Sequence, residues 1–109
     1  MSKAAYFQQG DVVLVPVERI PAEFVEAETN VLQEGEVTGH AHRLHGDGFR
    51  VHAIPGKVGN ADKKYLRLVK PVALRHEEHK EIKLPTGDFE IRIVREYDHF
   101  EEEARRVAD

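Results

Sequence analysis

Apolar and polar positions alternate with a period of two along much of the chain, the spacing of half-buried β-strands. Residues 11–17 (Asp-Val-Val-Leu-Val-Pro-Val) form a β-branched run after a Gln-Gly turn at residues 9 and 10, and Pro16 predicts an edge or a bend there. Residues 18–30 mix helix-favouring Glu and Ala with Pro21 and read as a loop or short turn. Residues 31–38 suit a further strand, interrupted at Gly35. In residues 40–54 two alternating runs flank Gly46-Asp47-Gly48, and Asp-Gly between such runs predicts a β-hairpin. A two-residue loop sets His42 opposite Ala53, and a three-residue loop sets it opposite His52. Residues 55–64 have loop composition. Residues 65–74 alternate again around Pro71. A strand follows at residues 81–84, a turn at residues 85–88, and the clearest strand of the chain at residues 89–94.

The period changes at the C-terminus. Asp98 and Glu101 have capping-box spacing, and Phe100, Ala104 and Val107 recur at helical intervals. These predict an amphipathic helix over residues 98–108. The whole chain reads as one mainly β domain, a small barrel or sandwich with a short C-terminal helix.

Composition narrows the chemistry. The chain has 109 residues, enough for one core, with 40% hydrophobic and 33% charged residues. Cysteine is absent, so a disulfide framework, a thiolate metal site and a Cys nucleophile are excluded. The net charge of -4 and the lack of a basic stripe argue against nucleic acid. No apolar stretch suits a membrane helix, and residues 1–6 lack the apolar run of a signal peptide, so the expected location is cytoplasmic.

Five of the seven histidines fall in two windows, residues 40–45 and 76–79. His40-x-His42 on a strand puts two imidazoles on one face, about 7 Å apart at the backbone. Neutral imidazole offers a lone pair at physiological pH, so this pair suits a divalent transition metal such as zinc, iron, nickel or manganese. His76 and His79 are the source of further ligands. On a regular strand they point to opposite faces, so both reach one ion only across a turn or bulge. The segment His76-Glu77-Glu78-His79 differs from the zinc-protease His-Glu-x-x-His motif, since its histidines are three apart and it adjoins strands. Glu78, and after it Glu77, are candidate general bases or supports for the ligands. Glu34 and Glu36 flank Gly35 just ahead of the first cluster as further carboxylates.

Two resemblances rest on these residues. The segments 35–42 (Gly-Glu-Val-Thr-Gly-His-Ala-His), 75–79 (Arg-His-Glu-Glu-His), Leu84-Pro-x-Gly87, Arg95-Glu-Tyr97 and the terminal Val-Ala-Asp resemble a family of short uncharacterised bacterial and phage proteins. The chain also resembles cupins in part. His40-x-His42 is followed by Asp47 in the cupin glutamate slot, and Pro85-x-Gly87 by Glu90 where cupins carry histidine. That resemblance implies a metal inside a small barrel, held by His40, His42 and one of His76, His79 or Glu90. The leading expectation is a metal-binding barrel, with a metal-dependent hydrolase, isomerase or oxygenase acting on a small molecule as its enzymatic form. The other is a non-catalytic accessory module that forms a homo-oligomer or binds a protein partner.

Overall fold

The computed structural model describes residues 6–35 and 39–94. Its strands are β1 (Phe7–Gln9), β2 (Val12–Val17), β3 (Val25–Ala27), β4 (Val31–Glu34), β5 (Ala41–His45), β6 (Phe49–Ala53), β7 (Lys64–Leu68), β8 (Val72–His76), β9 (His79–Leu84) and β10 (Gly87–Ile93). No helix occurs among the described residues, so none there is long and apolar enough to cross a membrane. The helix expected over residues 98–108 lies outside them.

The strands form two sheets and do not close into a barrel. One has six strands in the order β1-β2-β10-β7-β6-β3, the other four in the order β4-β5-β8-β9, and every strand pairing within them is antiparallel. A single apolar cluster draws on both. Val12, Leu14, Val51, Leu66, Leu68, Phe89 and Ile91 come from the larger sheet, and Leu32, Leu44, Val72, Leu74, Ile82 and Leu84 from the smaller. Alternation explains this: Phe89 and Ile91 are buried, whereas Glu90 and Arg92 on the other face form ion pairs.

The expected hairpin around Asp47-Gly48 is not formed. β5 pairs with β4 and β8, while β6 pairs with β3 and β7. Gly46-Asp47-Gly48 carries the chain from one sheet to the other. A two-residue hairpin turn of the type Asp-Gly favours needs positive φ at both central residues. Neither Asp47 nor Gly48 has it; the positive φ lies at Gly46 (125°). Gly48 is instead required for close approach. A Cβ there would lie 2.8 Å from the Lys70 backbone nitrogen, and Val69 N–H donates to Gly48 O at 2.8 Å. Another crossing between the sheets, at residues 69–71 around Pro71, is thereby bonded to this one. His42 consequently faces Gln33 on β4, not Ala53 or His52.

Other boundaries shift modestly. β3 forms inside the expected loop 18–30, pairing Val25 with Ala53 and Ala27 with Val51. β7 starts at Lys64. β1 includes Gln9, so the turn expected at residues 9 and 10 falls at Gly10 and Asp11, and β1 makes a short hairpin with β2.

Candidate metal centre

The β8–β9 hairpin turns through Glu77 and Glu78, leaving His76 paired with His79. The register slips by one residue between Leu74 and His76. Without this bulge Lys80 would stand opposite His76, and His79 would project from the other face. The sequence condition for the two histidines to meet, a turn or a bulge, is thus present twice over.

β5 lies on the other side of β8. Its pairings of Leu44 with Leu74 and Arg43 with Arg75, continued by one residue, set His42 opposite His76. The rings of His42 and His76 are 4.3 Å apart, those of His76 and His79 4.6 Å, and those of His42 and His79 5.6 Å. One ligand atom from each of His42, His76 and His79 lies within 4.8 Å of the others. His42 is buried, His76 half-buried and His79 exposed, so the group opens to solvent on one side.

Glu77 locks this arrangement. Its Oε1 accepts the Ala41 backbone N–H at 2.9 Å, and its Oε2 accepts from Arg43 Nη1 at 3.0 Å. These bonds grip β5 on both sides of His42. Chiefly through Ala41 N–H, then its own backbone N–H and Arg43, the Glu77 carboxyl is lowered to about 2. Both its oxygens are engaged, which suits a clamp better than a general base.

The remaining sequence candidates are placed as follows. His40 stands outside the three-histidine group, its ring 5.9 Å from that of His76 and its Nδ1 3.5 Å from Glu78 Oε2. Glu78 is exposed beside it. Glu34 exchanges backbone hydrogen bonds with the Asn60 side chain, and Glu36 lies outside the described residues. Asp47 sits 3.6 Å from Lys70, and Glu90 is held by Lys63 and Arg92. Neither supplies the cupin-like ligand.

The turn between β1 and β2 forms a wall of the site that sequence reasoning missed. Gln9 is fully buried and donates its amide to Leu74 O (2.8 Å) and Lys80 O (2.9 Å). Its Oε1 lies 2.8 Å from His42 Nδ1. The amide nitrogen serves two carbonyls, so the oxygen faces the ring and the proton must sit on His42 Nδ1. In the neutral ring the lone pair is then on Nε2, toward Asp11 Oδ1 at 3.4 Å. When His42 is protonated, its hydrogen bond to Asp11 above all, with the charge of His79 adding to it, holds the Asp11 carboxyl below its ordinary value. Gly10 has φ +59°, and a Cβ on it would lie 2.7 Å from His79 Nε2 and 3.1 Å from His42 Cε1. The one available signal was the polar Gln-Gly-Asp run directly ahead of the most apolar strand.

His76 has the opposite polarity. Its Nδ1 accepts the Glu78 backbone N–H at 3.0 Å, so its neutral ring carries the proton on Nε2. Burial, then the neighbouring charges of His42 and His79, press its pKa down and favour the neutral ring.

Residues 8–94 match a protein family described as a domain of unknown function (DUF8820), and the chain belongs to that family. No curated protein matches the chain, and no solved structure does.

Proposed function

We propose that this DUF8820 domain is a metal-binding domain that holds one divalent transition ion on His42, His76 and His79. The observation that carries the reading is the convergence of three imidazole donors from adjacent strands to within 4.8 Å. Small side-chain rotations would bring that spread to the separation of ligands each about 2.0–2.1 Å from one ion. Gln9 supports the same reading, because a metal-bound histidine commonly donates its other ring N–H to a carbonyl-type acceptor that fixes its orientation. The all-imidazole set suits zinc, iron, nickel or manganese.

The ligands are unequal. His42 already presents a free Nε2. His76 loses its exposed bond from Glu78 N–H on binding, either because Nδ1 itself ligates or because the ring proton moves there to free Nε2, and the lost bond costs about 1 kcal/mol. Of the two glutamates expected to do chemistry, Glu78 beside His40 stands at the open rim, where a small molecule approaching the ion would meet it.

The test is metal content of untagged protein after loading with zinc, iron, nickel or manganese. One ion per chain, lost in the His42→Ala/His79→Ala double variant, supports the reading. Absence of stoichiometric metal from the folded wild type overturns it.

A further inference from the structure

We propose that Asp11 is a fourth donor to this centre, so that the ion is held by three imidazoles and one carboxylate and ties the two sheets together. The proposal rests on the metal reading above and adds a ligand from a different sheet. The histidines belong to β5, β8 and β9 of the smaller sheet, whereas Asp11 lies in the β1–β2 turn at the edge of the larger one.

The argument starts with the proton on His42. Gln9 Oε1 takes the Nδ1–H, so in the neutral ring His42 Nε2 and Asp11 Oδ1 are two acceptors facing each other. Such a contact is favourable only with a cation between them, a proton or a metal ion. The distance separates these. A charge-assisted N–H···O bond spans about 2.7–2.9 Å. Two donors on one tetrahedral ion, each about 2.0–2.1 Å from it, stand roughly 3.3 Å apart. The observed separation is 3.4 Å. His76 and His79 add to the case, because their rings lie 4.3 and 5.6 Å from that of His42, so one ion could be shared by all three. Gly10 matters for the same geometry. Its missing side chain lets the turn lie directly on the His42 and His79 rings, which brings the next residue, Asp11, to Nε2.

The experiment titrates untagged wild type and Asp11→Asn with cobalt(II), following visible absorption, then displaces the cobalt with zinc. Asp11 is half-exposed and Asn is nearly isosteric, and circular dichroism checks that the variant folds. The wild type is expected to bind one cobalt with the strong absorption of a four-coordinate ion. Asp11→Asn should lose at least about tenfold in affinity, no less than the loss of a residue that only orients a ligand, and shift to a weaker spectrum as water takes the vacated place. Equal affinity and an unchanged spectrum in Asp11→Asn overturn this proposal and leave the three-histidine site standing. Tighter binding in the variant also overturns it, because Asp11 would then be stabilising a competing proton on His42. No cobalt or zinc binding by the wild type sinks the metal reading itself and this inference with it.

Discussion

Gln9 and His42, thirty-three positions apart in the chain, are joined by a 2.8 Å hydrogen bond between two buried side chains. Every polar atom of the Gln9 amide group is used, two carbonyls on its nitrogen and one imidazole on its oxygen. Gln9→Leu keeps the volume and removes all three partners. It should destabilise the fold by roughly 3 kcal/mol, since buried carbonyls and a ring N–H are left unpaired. Urea denaturation measures this, and nitrogen-15 NMR of His42 should show loss of the single tautomer.

Gly10→Ala tests the tight contact with the rings. The φ of +59° costs an L-residue about 1–2 kcal/mol, and the added Cβ also displaces the His79 ring. Gly56→Ala is the control, with φ +81° and no atom within 4 Å of an added Cβ. Both should lower stability by a similar backbone amount, but only Gly10→Ala should weaken metal binding. Equal metal affinity in the two variants would show that the Gly10 contact is unimportant to the site.

Among single ligand replacements, His42→Ala should weaken metal binding more than His76→Ala. The first removes a preoriented lone pair, the second a ring that must first give up a hydrogen bond. Isothermal titration of both variants with zinc gives the ranking.

Glu77 makes the protein acid-sensitive in a definite window. Its carboxyl is depressed from 4.5 to about 2, so its contribution to stability is fully present above the unfolded value and fades as pH falls from about 4.5 toward 2. Glu77→Gln should flatten the stability–pH curve in that window and weaken the hold on Ala41 and Arg43. Acid titration followed by circular dichroism compares the two.

Lys64 predicts the alkaline side. It is buried with its Nζ donating to Gly59 O at 2.8 Å, and burial pushes its pKa below the ordinary 10.5. The unfolded chain therefore holds this proton more tightly than the native one, and stability should rise as pH climbs from the folded value toward 10.5. Lys64→Met should remove that rise, as denaturation midpoints across the range would show.

Most of the strands and the two histidine windows were legible because both rest on local spacing. Period-two alternation gave β2, β7 and β10, and the Glu-Glu pair between His76 and His79 is short enough to be a turn. Asp47-Gly48 misled because a hairpin and a close crossing of two chains both call for glycine, and only the φ values and the Lys70 contact tell them apart. His42 meets His76 through the β5–β8 pairing, which no local pattern encodes. Gln9 was invisible for a stronger reason: its three partners lie on β5, β8 and β9, and nothing within its own short strand distinguishes a buried amide from an exposed one.

The reach of Gln9 also has a kinetic meaning. Its bonds to Leu74 O and Lys80 O close loops of 65 and 71 residues. Closing such long loops costs chain entropy before the bonds are gained, so these contacts are expected late in folding. On that expectation the three imidazoles come together near the end of folding, and an ion held by them would require a nearly complete molecule. Metal should accordingly slow unfolding while leaving the refolding rate almost unchanged, the signature of an interaction absent from the transition state.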